Sequence, residues 1–119
     1  MKRLTLLLVA VLCCISVGAQ SDFYMRQARL YQREAEYYTK QAQGFDRESE
    51  YYNRQVQKYL RDAEYYSKHG KYDWVESCQH KAKDATERAE SFAKKANNAR
   101  DRAKSYMKRA EEALQKAKK

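Results

Sequence analysis

A fourteen-residue repeat constrains this chain more than any other feature. The segment 31–38 (YQREAEYY) returns as 45–52 (FDRESEYY) and again as 59–66 (YLRDAEYY). Inside it runs a seven-residue beat of aromatics: Tyr24, Tyr31, Tyr38, Phe45, Tyr52, Tyr59 and Tyr66. Three residues before each of the last six stands a small or apolar residue, namely Ala28, Ala35, Ala42, Ser49, Val56 and Ala63. With the small residues labelled a and the rings d, the spacing averages 3.5 residues, which is the period of a coiled-coil seam.

The second half keeps the beat with smaller residues. Val75, Cys78, Ala82, Ala85, Ala89, Phe92, Ala96, Ala99, Ala103, Tyr106, Ala110, Ala113 and Ala117 alternate between spacings of three and four. Between the halves, His69-Gly70-Lys71-Tyr72-Asp73-Trp74 offers a Gly where a helix ends and Asp73 where the next is capped. There is no Pro and there are only 3 Gly, so the usual turn residues are lacking and many short strands are not expected. The reading is all-α: a long antiparallel two-helix coiled-coil hairpin with an Ala/Tyr seam. Helix one is expected over about 22–68, a turn over about 69–73 and helix two over about 74–117, each helix about 68 Å long.

Charge chooses the pairing. At position g the first helix carries Gln27, Glu34, Gln41, Glu48, Gln55 and Asp62, and the second carries Lys81, Arg88, Lys95, Arg102, Arg109 and Lys116. Antiparallel packing sets g against g, so folding about residue 71 or 72 is expected to join Asp62 to Lys81, Glu48 to Lys95 and Glu34 to Arg109. The same fold sets Tyr31 opposite Ala110, Phe45 opposite Ala96 and Tyr52 opposite Ala89, with Phe92 near Ser49. Two copies of helix two laid antiparallel would instead oppose cation to cation. Glu36–Lys40, Glu50–Arg54 and Glu64–Lys68 are the i,i+4 pairs expected on the outside.

The N-terminus has a different character. Lys2 and Arg3 precede an almost wholly apolar run from Leu4 to Ile15, and Val17-Gly18-Ala19 supplies small residues at the positions a signal peptidase reads. Residues 1–19 therefore read as a secretory signal cleaved after Ala19, leaving a mature domain of 20–119. Its apolar run is shorter than the ~20 residues of a spanning helix, and Leu12 before Cys13 argues against a lipoprotein. Cleavage removes Cys13 and Cys14 and leaves Cys78 without an internal partner, to be buried in the seam or bonded to another chain. The signal resembles those of Gram-negative bacteria exporting to the periplasm or beyond, and the body resembles alanine-rich coiled coils. No membrane span is expected after processing.

Two surfaces stand out as candidate sites. Tyr37, Tyr51 and Tyr65 fall at position c, on the outer side, fourteen residues or ~21 Å apart. A row of exposed aromatics suits self-association or contact with another envelope protein. The second surface is basic. From 94 to 119 there are ten Lys or Arg against three acidic residues, and Lys104, Lys108, Arg109, Lys116, Lys118 and Lys119 suit an anionic polymer: nucleic acid, anionic polysaccharide or lipid headgroups. A metal can be drawn near the turn from His69, Cys78 and His80 with Asp73 and Glu76, but the spacing matches no established site and Cys78 is better read as core. No nucleophile motif, phosphate loop, cofactor motif or small-molecule pocket is legible, so the chain reads as non-enzymatic.

Overall fold

The computed structural model describes the backbone of residues 2–119 and the side chains of 19–119. The expected signal, but for Ala19, lies outside the residues whose side chains are described. The chain forms two helices, α1 (Lys2–Lys68) and α2 (Tyr72–Lys118), which double back at the turn between them. Ala, Lys, Arg, Glu and Gln, which lose little rotamer freedom in a helix, fill both.

The turn shows how the sequence stops one helix and starts the next within three residues. Gly70 has φ 71°, a left-handed conformation in which a side chain is strained. Around it the Lys71 amide donates to the Tyr66 carbonyl at 3.0 Å and the Gly70 amide donates to Ser67 at 3.2 Å. Those two bonds are the Schellman arrangement that satisfies the last carbonyls of a helix. The Lys71 carbonyl then accepts from Trp74 and Val75 at 3.1 and 3.2 Å, so Lys71 is both the exit of α1 and the cap of α2. This corrects the expected role of Asp73. It stands inside the first turn, where its charge complements the helix N-terminus without capping it.

Contacts divide the chain into two compact units, 38–101 and 1–37 with 102–119. Within 38–101 the helices run antiparallel over a seam of small residues. Ala42, Ser49 and Ala63 of α1 are buried, as are Cys78, Ala82, Ala85, Ala89, Ala96 and Ala99 of α2. The close approach that alanine permits lets the Ser49 hydroxyl cross the seam and donate to the Ala89 carbonyl at 2.9 Å. The rings sit beside this seam, half-buried. Phe92 lies between two rings of α1, 6.2 Å from Phe45 and stacked on Tyr52 at 5.8 Å and 6°. In the second unit Ala28, Ala35, Ala103, Ala110 and Ala113 are buried, and Tyr31 meets the Tyr106 ring at 6.2 Å. Thus Tyr31, Phe45 and Tyr52, expected opposite alanines, meet rings of α2.

The charges differ more from expectation. The pairs Asp62–Lys81, Glu48–Lys95 and Glu34–Arg109 do not form. The α2 cations lie over rings instead: Lys81 on Tyr59 at 5.9 Å, Arg88 on Tyr52 at 5.7 Å and Lys95 on Phe92 at 5.1 Å. In the other unit Arg109 covers Tyr106 at 5.1 Å and Lys116 covers Tyr24 at 5.7 Å. An exposed carboxylate offers a cation little in water, whereas a half-buried ring attracts the charge and covers the apolar stem. A helix-to-helix ion pair forms on the opposite flank, between Arg100 and Asp46. Of the outer i,i+4 pairs, Glu64–Lys68 closes at 3.4 Å.

Candidate interaction surface

The outer face of α1 is built from the repeat. Because the c position lies some 130° around the helix from the seam, Tyr37, Tyr51 and Tyr65 are exposed to 54, 48 and 57%. Each c ring is followed by a d ring, and where the two meet the arrangement is edge-on. Tyr51 meets Tyr52 at 5.2 Å and 79°, and Tyr65 meets Tyr66 at 5.4 Å and 74°. Such geometry sets the positive edge of one ring against the negative face of the next. The exposed ring is thereby held by a neighbour that is itself anchored at the seam.

Phe23 stands at the same position of the repeat and is not among the three aromatics that the tyrosine spacing marks. It stands fourteen residues before Tyr37, is exposed, and meets Tyr24 at 5.4 Å and 69°. The signal that would have found it was the repeat itself, extended one unit toward the N-terminus. Its replacement of Tyr by Phe hid it.

The turn end of unit 38–101 carries more aromatic surface. Tyr65 packs on the His69 imidazole at 4.3 Å, Tyr66 on Trp74 at 5.4 Å, and Tyr72 and Trp74 stay mostly exposed. The groups from which a metal site was drawn have other engagements. His69 Nδ1 lies 2.8 Å from the Tyr65 carbonyl, His80 faces Glu76 at 3.9 Å on the surface, and Cys78 is buried in the seam. Among the described residues no three His, Cys, Asp or Glu side chains converge as metal ligands would.

An open groove of about 310 Å³ runs beside the seam, bounded by Tyr51, Tyr52, Tyr59, Lys81, Asp84 and Arg88. Two cations, Lys81 and Arg88, and one carboxylate, Asp84, line it together with the rings.

The basic segment splits in two. Lys104, Lys108, Lys118 and Lys119 are exposed, whereas Arg109 and Lys116 have their charged ends over rings. Among the described residues no helix is long and apolar enough to cross a membrane. No known protein family, no curated protein and no solved structure matches this chain.

Proposed function

We propose that the chain is a non-enzymatic structural or interaction protein, exported to the bacterial cell envelope, that works by coiled-coil self-association through Tyr37, Tyr51 and Tyr65. The observation that carries this reading is the state of the core. Among the described residues no large side chain is fully buried, and the buried set is almost entirely alanine. Alanine removes little apolar area from water, so a two-helix seam of this kind is thin in hydrophobic stabilisation. Meanwhile three tyrosines at the outer position of the repeat are left about half exposed. Aromatic side chains carry much apolar area at low entropic cost and are the commonest anchors of protein interfaces. Covering that face with another copy supplies what the seam lacks.

The test is the solution mass of residues 20–119 by light scattering, under reducing conditions and moderate salt. Twice the single-chain mass or more is the expected result. Changing Tyr37, Tyr51 and Tyr65 together to Ser should return the mass to a single chain while the helical circular dichroism persists. A single-chain mass for the parent protein at high concentration would overturn the reading.

Binding of an anionic polymer is the second reading, favoured by the exposed Lys104, Lys108, Lys118 and Lys119 in a segment with ten cations and three anions. Affinity for a polyanion should then fall steeply with salt. It should disappear when those four, with Arg109 and Lys116, become Gln. Salt-insensitive binding would exclude it.

A further inference from the structure

The structure shows which charges flank the tyrosine column, and from them we infer that the outer face of α1 in unit 38–101 docks a second copy of this chain in parallel, Tyr51 to Tyr51 and Tyr65 to Tyr65. The inference rests on the self-association proposed above and adds the partner's identity and direction.

On a helix, the residues that flank position i on one side are i−4 and i+3, and on the other side i−3 and i+4. For Tyr51 the first side holds Arg47 and Arg54, and the second holds Glu48 and Gln55. For Tyr65 the first side holds Arg61 and Lys68, and the second holds Asp62 and His69. One flank of the column therefore holds four exposed cations, of which Lys68 is paired with Glu64 of its own helix, and the other flank holds Glu48 and Asp62. Glu48 and Asp62 were expected to pair with Lys95 and Lys81 across the hairpin. Because Lys95 and Lys81 lie over rings, both carboxylates are left without an ion-pair partner among the described residues. Arg54 and Arg61 likewise have no carboxylate partner there, and Arg47 rests on the carbonyl of Gln43 in its own helix at 3.4 Å.

A stripe with cations on one flank and acids on the other is complementary to itself in one direction only. When two helices lie parallel, their symmetry axis runs along them and brings the right flank of one to the left flank of the other. Arg47, Arg54 and Arg61 then face Glu48 and Asp62 of the second copy. When the helices lie antiparallel, each flank meets its own kind, setting the cation row against the cation row. Exposed pairs contribute little each, so their role is to choose direction while the tyrosines supply the buried area.

The experiment uses the full chain with Cys13, Cys14 and Cys78 changed to Ala, carrying Tyr51→Cys or Tyr65→Cys, each alone. Both positions are exposed, so the fold tolerates the change. On mild oxidation the parallel arrangement gives a disulfide-linked dimer of each variant by itself. An antiparallel arrangement links the two variants to each other on mixing and neither to itself, and that result would overturn the inference while leaving self-association standing. A light-scattering mass of one chain for the parent protein would sink both. A dimeric mass with no cross-link at either position would show that copies meet elsewhere, and also rejects the inference. As a second variant, Arg47→Glu with Arg61→Glu turns attraction into repulsion only in the parallel arrangement. The dimer dissociation constant should rise about tenfold or more, and less at high salt. An unchanged constant contradicts the assignment.

Discussion

Arg100 holds Asp46 through both terminal guanidinium nitrogens, at 2.6 and 3.2 Å, and joins α2 to α1 on one flank of the seam. The Asn97 amide oxygen accepts from the same guanidinium at 3.3 Å and steadies it from within α2. Two-point geometry makes this pair directional. Both side chains are nearly half exposed, so water screens the charge. Arg100→Ala and Asp46→Asn should each lower stability by about 0.5–1 kcal/mol, and the two effects should not add. A double-mutant cycle by thermal denaturation checks this, and the coupling should shrink at high salt.

Ala96 has 0% exposure, the lowest among the buried residues of the seam. Ala96→Leu would force an isobutyl group into the space between two backbones. A loss of about 1–3 kcal/mol is expected from overpacking. Urea denaturation followed by circular dichroism measures it, with Ala93→Leu on the half-buried side as the milder comparison.

Phe92 offers the opposite case. Its ring is stacked on Tyr52 and tilted against Phe45, so Phe92→Ala removes ring contacts to both at once. About 2 kcal/mol should be lost, less than for a fully buried ring because Phe92 is only half-buried. Phe92→Leu should recover most of the area but not the stacking.

Gly44 and Gly70 should respond to alanine with opposite signs. A Cβ added at Gly70 meets nothing within 4 Å, so the cost of Gly70→Ala is the left-handed backbone alone, about 1 kcal/mol. Gly44 sits in the middle of α1 with the same open space and no positive φ. Gly44→Ala should therefore stabilise by about 0.5–1 kcal/mol through helix propensity. Melting temperatures of the two variants check both signs in one experiment.

Ser49 interrupts the run of alanines in α1 and bonds across the seam to the Ala89 carbonyl. Ser49→Ala removes one buried hydroxyl and its acceptor contact together and leaves no donor stranded. A small loss, about 0.5–1 kcal/mol, is expected. Ser49→Val keeps the burial but adds volume where backbones are close, and should lose more.

Much of the hairpin was legible because its causes are local. The alternation of three and four among Cys78, Ala82, Ala85 and Ala89 marks a helix face wherever that helix packs, and these four are buried. Gly70 marks the turn because few other residues accept its φ. The exposed column of Tyr37, Tyr51 and Tyr65 follows from the same periodicity, since a residue at c points away from any a/d seam. Phe23 is less legible, because Phe stands there where the other three positions have Tyr. Asp73 has a side chain of capping type, but the cap position is taken by Lys71, whose backbone also closes the preceding helix.

What the sequence by itself determined is therefore that two helices double back at Gly70, with small residues inside and tyrosines outside. Each of those follows from residue spacing and backbone preference, which do not change with the position of the second helix. Only the tertiary structure decided the partners: Lys81 and Arg88 on rings rather than carboxylates, Asp46 with Arg100, Ser49 with Ala89, and Phe92 between Phe45 and Tyr52. Those depend on the height and rotation of one helix against the other. A shift of a few ångströms moves an ammonium from an acid to a ring without disturbing the seven-residue beat, so the pattern in the sequence cannot distinguish them.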